Sequence, residues 1–170
     1  MSETRIVLVR HGETMWNCEG RIQGYHADSP LTETGHAQAR AVAARLASEG
    51  VDALYSSDAG RTLQTVEPIA QATGLEVRRD VGVRERNYGI FEGRTFAEVE
   101  RVFPEEFQKY RSRDPHYSIE GGESAVQFRD RIVEALAPAA DVQATPYAFR
   151  DRKSTRLNSS HLGISYAVFC

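Results

Sequence analysis

Short apolar runs alternate with stretches of helical period along this chain. Arg5-Ile6-Val7-Leu8-Val9 is apolar and β-branched, the mark of a buried strand. Gly12 breaks that run. Thr14 to Cys18 has room for a short helix, and the stretch after it, with Gly20, Gly24 and Pro30, reads as loop. Thr32 or Thr34 can cap a helix that reaches about Ser48, with Ala37, Ala41, Val42, Ala44 and Leu46 on its apolar side. Gly50 ends it. Val51 to Tyr55 is a second strand. Asp58 is a suitable N-cap for the next helix, which ends near Gly74 and which Pro68 should kink or divide. Leu75 to Arg79 is a third, short strand. Helical stretches fit Thr95 to Val102 and Pro104 to Ser112. Gly121-Gly122-Glu123-Ser124 opens a last helix to about Leu136, with Val126, Phe128, Ile132 and Val133 facing inward. No repeat or low-complexity tract interrupts the series. Alternating strands and helices predict an α/β layered sheet.

The pattern also says where chemistry should lie. In open α/β sheets ligands bind outside the carboxyl ends of the strands. Arg10 and His11 stand at the end of the first strand. Arg61 falls in the first turn of the helix after the second strand, where free N–H groups and the helix dipole favour an anion. Taken alone, Arg10-His11-Gly12 fits an ordinary strand exit as well as it fits a nucleophilic histidine with an arginine beside it. Glu85 lies between Arg84 and Arg86. His26, His36 and His116 read as exposed polar residues, Cys18 as a small packing residue and Trp16 as core.

Composition narrows the partners. A chain of 170 residues fits one domain. Its formal net charge of -3 gives no general attraction to nucleic acid or to an anionic membrane. An anionic substrate must then be held by a few local arginines. No apolar run approaches a membrane span, and no signal peptide precedes the first strand. Two cysteines, Cys18 and Cys170, make neither a disulfide framework nor a zinc spacing. The expectation is a cytoplasmic protein.

Residues 151–170 stand apart. From Asp151-Arg152-Lys153-Ser154 to Ala167-Val168-Phe169-Cys170 they resemble the in-frame translation of a short-read sequencing adapter, with Leu162 and Gly163 where an index would fall. The expected organisation is therefore a domain over residues 1–150, truncated, followed by a non-native tail over 151–170. Read as structure, the tail is a polar loop followed by an apolar strand from Ile164 to Phe169.

Five blocks in order, Arg10 to Asn17, Gln23-Gly24, Leu31 to Gly35, Ser56 to Thr65 and Glu85 to Gly93, with Gly121 to Ser124 as a weaker sixth, resemble the histidine phosphatase superfamily. That family includes the cofactor-dependent phosphoglycerate mutases. The resemblance implies a three-layer α/β/α sandwich with a mostly parallel central sheet, incomplete at the C-terminus. It makes His11 the nucleophile that becomes phosphorylated, with Arg10 and Arg61 clamping the phosphoryl oxygens. Asn17, Gln23 and Gly24 would line the phosphate site, and Glu85 would be the general acid that protonates the leaving alcohol. The chemistry agrees. A neutral imidazole nitrogen is a good nucleophile, and phosphoryl transfer needs mainly positioning and charge stabilisation. Guanidinium groups suit the phosphoryl oxygens better than lysine does. No metal and no cofactor is implied.

The superfamily also has a second histidine, in a Ser-His-Gly-like motif that ends a strand after the helix opened by Gly122-Glu123-Ser124. Here that helix leads to Ala137-Pro138-Ala139-Ala140. Ser159-Ser160-His161-Leu162-Gly163 is no equivalent, since no apolar strand precedes it and Leu162 replaces the glycine. The expectation is a sheet opened at its centre, a chain that folds poorly, and little activity. Three functions stay open. The first is a phosphatase of small phosphate monoesters. The second is a phosphoglycerate mutase, disfavoured by Arg94-Thr95-Phe96 where mutases carry a lysine. The third is an inactive fragment or binding relic. The partner is a small phosphorylated metabolite; oligomeric state is not legible.

Overall fold

A computed structural model gives the architecture; it describes residues 3–140 and 164–169. Strand β1 (Glu3–Leu8) leads through a turn into the short helix α1 (Met15–Glu19). Thr14 starts α1 with a reciprocal cap: its hydroxyl accepts from the Asn17 N–H, and the Asn17 side chain accepts from the Thr14 N–H. Helix α2 (Glu33–Leu46) is capped by Thr32, which accepts from the Gly35 N–H. Strand β2 (Val51–Ser56), helix α3 (Gly60–Thr73) and strand β3 (Val77–Arg79) follow. Helices α4 (Phe96–Val102) and α5 (Pro104–Arg111) come next, then α6 (Ala125–Ala140) and strand β4 (Ile164–Phe169).

The sheet has the order β1-β4-β2-β3, and each of its pairings is parallel. Parallel neighbours need crossovers, and these are right-handed. The moves β1 to β2 and β2 to β3 run in one direction along the sheet. The return from β3 to β4 runs in the other. Leu54, Val66, Ile69, Ala43 and Leu46 form the buried core between β2, α2 and α3. A second cluster, Ile22, Phe91, Val99, Phe107 and Ile119, closes the region of α4 and α5.

Several expectations change. The sheet is not open at its centre. Ile164–Phe169 lies between β1 and β2, paired Glu3 to Ile164 on one side and Tyr55 to Phe169 on the other. An interior slot in a parallel sheet asks only for an apolar extended run, and this segment is one. The absence of an equivalent to the second histidine was read on residues 159–163, which lie outside the described residues, as does the boundary at 150. The buried side of α2 is Gly35, Ala39, Ala43 and Leu46, whereas Ala37, Ala41 and Ala44 are exposed. Alanine stands on every face of this helix, so hydrophobicity alone misplaces the stripe. Helix α3 begins after Ala59 with no side-chain cap, because Asp58 is drawn to Arg84, and it runs on as one element through Pro68. Val133 is half exposed. Cys18 is exposed and Trp16 only half-buried, since α1 buries none of its residues. Among the described residues, no helix is long and apolar enough to cross a membrane.

Candidate active site

The loop after β1 is joined to helix α3, which follows β2, through one side-chain hydroxyl. The Gly12 N–H donates to Thr65 Oγ1 at 3.0 Å, and the Thr65 hydroxyl donates to the Arg61 carbonyl at 2.7 Å. Thr65 is 1% exposed. One buried hydroxyl thus ties the loop of His11 to the helix of Arg61. Gly12 and Gly35 also approach each other so closely that a Cβ on Gly12 would run into the Gly35 carbonyl. A Cβ on Gly35 would run into that of Glu13. The glycine of the Leu31-Thr32-Glu33-Thr34-Gly35 block lets α2 sit directly on the loop of His11.

His11 is half-buried. Its Nδ1 lies 2.7 Å from the Gly12 carbonyl. A carbonyl only accepts, so Nδ1 carries the proton and Nε2 keeps its lone pair. Burial pushes the imidazole below the usual histidine range, and the charges of Arg61 and Arg10 push the same way. The Gly12 hydrogen bond and the charge of Glu85 oppose them. His11 therefore feels the charges of Arg10, Arg61 and Glu85 together.

Arg61 is 2% exposed. Its Nη1 donates to Asp28 Oδ1 at 2.8 Å and to the Ala27 carbonyl at 3.2 Å; its Nη2 donates to the Gly24 carbonyl at 3.0 Å. Nε is buried with no partner. The guanidinium is held from one edge, and its Nε–Nη2 edge keeps two N–H groups for another acceptor. A buried donor without a partner is costly, and an anion on this edge would remove the cost. The helix terminus itself is less open than expected: the Arg61 N–H donates to Asp28 Oδ2 at 3.3 Å. A carboxylate of the chain already takes that place. Arg10 is exposed and has no ion pair or hydrogen bond among the described residues.

The other expected residues divide. Gln23 donates from Nε2 to Thr14 Oγ1 at 2.7 Å, and its Oε1 is buried without a partner. A half-turn of this amide lets the Thr14 hydroxyl donate to Oε1 and releases the NH2 group as a donor. Gly24 turns its N–H to the Ala27 carbonyl and its own carbonyl to Arg61, so it supports the arginine and does not present an amide to a phosphate. Asn17 is exposed, and its side-chain oxygen belongs to the cap of α1. Glu85 is exposed, and its Oε1 accepts the Arg86 N–H at 2.8 Å. It pairs with neither flanking arginine: Arg84 grips Asp58, and Arg86 donates to the Glu123 carbonyl. The Arg84 guanidinium holds Asp58 below the usual carboxylate range. His26, His36 and His116 are exposed.

Two residues escaped the sequence reading. Thr65 carries a signal only in hindsight, one helical turn after Arg61. Glu92 accepts the N–H groups of Tyr25, His26, Ala27 and Tyr88, and so fixes the loop on which Arg61 rests. A cleft of about 210 Å³ opens beside Arg61, lined also by Tyr25, His26, Asp28, Asp58 and Arg84. A larger one, about 370 Å³, contains Arg21, Arg94 and Arg101 but none of the site residues. There Arg21 is neutralised by Glu19 and Glu98. Among the described residues, no group of three or more His, Cys, Asp or Glu side chains could hold a metal ion.

This arrangement sets a half-buried histidine and a buried arginine beside the sheet of an α/β protein. The sequence matches the profile of the histidine phosphatase superfamily (branch 1) over residues 6–146, and the chain belongs to that superfamily. It is 41% identical over 142 residues to the probable phosphoglycerate mutase GpmB of Escherichia coli, covering 81% of this chain and 64% of that protein. The chain thus spans less than two thirds of that relative's length. Bacillus stearothermophilus YhfR is similar in structure, with a TM-score of 0.77 and 30% identity over 98% of this chain and 73% of that one. So is a mycobacterial glucosyl-3-phosphoglycerate phosphatase solved in complex with VO3, with a TM-score of 0.71 and 34% identity over 80% of this chain and 66% of that one.

Proposed function

We propose that this chain is built as a phosphatase of small phosphate monoesters that works through a phosphohistidine at His11, without a metal. The observation that carries the reading is the tautomer of His11. Its Nδ1 proton is engaged by Gly12, which leaves the Nε2 lone pair free, and the charge of the buried Arg61 acts on the same ring. In the first step Nε2 attacks phosphorus and the ester P–O bond breaks. Arg61 and Arg10 stabilise the equatorial oxygens. The Glu85 carboxyl gives its proton to the departing alkoxide. In the second step Glu85 takes a proton from water, the water oxygen attacks phosphorus, and the P–N bond breaks to release inorganic phosphate.

Phosphatase is favoured over mutase by Arg94. It turns its Nη1 to the Ile90 carbonyl at 2.6 Å and lies over the Phe103 ring, so it offers no cation to a second anionic group at His11. The deciding experiment follows inorganic phosphate released from p-nitrophenyl phosphate and glycerol 2-phosphate. Acid-quenched protein is mapped by mass spectrometry for an acid-labile phosphate on His11. Turnover without that adduct, unchanged in His11→Ala, would overturn the reading. Isomerisation of phosphoglycerate dependent on a bisphosphoglycerate would replace phosphatase with mutase.

A further inference from the structure

The loop that carries Glu85 is held by one side chain of helix α6. Arg131 donates from Nη1 to the Gly82 carbonyl at 2.8 Å and to the Arg84 carbonyl at 3.0 Å. Its Nη2 donates to the Glu85 carbonyl at 3.3 Å and to Glu123 Oε1 at 2.5 Å, and its Nε to Glu123 Oε2 at 3.3 Å. A guanidinium has five N–H groups, and each of these is engaged. Glu123 in turn accepts the Asn87 N–H at 2.9 Å, and its carbonyl accepts from Arg86 Nε at 3.0 Å. One ion pair thus grips residues 82–87 from both sides. The cation takes the carbonyls up to and including that of Glu85, and the anion takes the N–H two residues beyond. The Tyr25 ring lies 5.3 Å from the Arg131 guanidinium and 4.5 Å from that of Arg84.

This clamp stands in contrast to the side chain it surrounds. The Glu85 carboxyl is exposed and has a single short-range partner, the N–H of its own neighbour. Its aim is therefore set by the backbone beneath it. We infer that Arg131, braced by Glu123, is a positioning residue for the general acid, fixing the peptide from which Glu85 reaches the leaving oxygen. The inference rests on the reading of Glu85 as that acid. Lysine cannot replace Arg131, because a point charge on a flexible stem cannot serve five fixed acceptor directions.

A general acid matters in proportion to how badly the leaving group needs its proton. p-Nitrophenolate leaves without one, whereas the alkoxide of glycerol 2-phosphate does not. Arg131→Lys and Arg131→Ala are each expected to lower kcat/KM for glycerol 2-phosphate by about a hundredfold. The same changes should lower it for p-nitrophenyl phosphate by less than about fivefold, with the loss in kcat and not in KM. Glu123→Gln, whose amide oxygen still accepts from Asn87 and Arg131 Nη2 but whose NH2 group cannot accept from Arg131 Nε, should give a weaker split of the same kind. Adding Arg131→Ala to Glu85→Gln should lower the alkyl rate little further, since residues acting as a unit are not additive. An equal loss with both esters, in parallel with a lowered melting temperature, would make Arg131 a structural staple and overturn the proposal. Glu123→Gln supplies the same test if both Arg131 variants fail to fold. A Glu85→Gln variant that keeps the wild-type ratio of the two esters would instead overturn the acid reading itself.

Discussion

Two side chains set the chemistry at the scale of the residue. His11 is neutral in its resting form because burial and two arginines disfavour its charge. On the proposed mechanism, the nucleophile is lost only when pH falls through its lowered value. The acid limb of kcat/KM is therefore expected below pH 6.5, the ordinary histidine value. Arg10→Ala should move that limb upward, as a pH–rate profile of the two proteins would reveal. The same shift has a stability sign. The unfolded chain binds the proton more readily, so the stability due to neutral His11 is fully present above its unfolded value and declines as pH falls toward the folded one. Arg61→Lys is expected to lower kcat/KM by about 10²- to 10³-fold, or about 3–4 kcal/mol of transition-state stabilisation. Lysine has no Nε–Nη2 edge to offer two oxygens, and binding of vanadate should weaken alongside. His11 and Arg61 were legible in the sequence because strand ends and helix starts are legible. The hold of Asp28, Gly24 and Ala27 on Arg61 was not, since it joins a loop to a helix distant in sequence.

Elements meet at glycines and capping hydroxyls. Gly35 lies in the first turn of α2, where alanine would ordinarily gain about 1 kcal/mol of helix propensity. Here a Cβ would strike the Glu13 carbonyl, a backbone atom that cannot step aside cheaply. Gly35→Ala is therefore expected to be a net loss of about 1–2 kcal/mol, the overpacking cost outweighing propensity. Denaturant titration would give the sign, and phosphoenzyme formation should slow because Gly12 and Glu13 shift with it. The contrast with capping is instructive. Thr32 or Thr34 could be read as a cap from local sequence, and Thr32 is one. Asp58 could be read the same way and is not, because Arg84, from a later loop, pairs with its carboxylate at 2.5 Å. Local rules hold until a charged partner from elsewhere competes for the same group. The mistaken face of α2 has another cause: a run of alanines carries almost no directional signal, and only the packing of α3 chooses among them.

For the whole molecule, the sheet order decides how stability is distributed. β4 is interior, so each of its N–H groups faces a neighbouring strand. Val168→Pro, between Val7 and Leu54, is expected to remove one ladder bond and leave a buried carbonyl unpaired, about 2–4 kcal/mol in all. A lowered and broadened thermal melt would register it, and an unchanged melt would mean that β4 contributes nothing to the sheet. The layered class and the parallel direction followed from the alternation of elements, but the occupant of the central slot did not, because an apolar hexapeptide does not announce its neighbours. That placement has a consequence in time. Glu3 finds its partner at Ile164, nearly the whole chain away. A ribosome making this protein releases β1, α2, β2 and α3 long before the strand that joins them. Until then two strand edges face an empty lane, each able to recruit a strand from another nascent chain. The codons of Ile164–Phe169 thus govern how long the strands before them stay vulnerable, and slow translation should lower the yield of soluble protein more than slow initiation does.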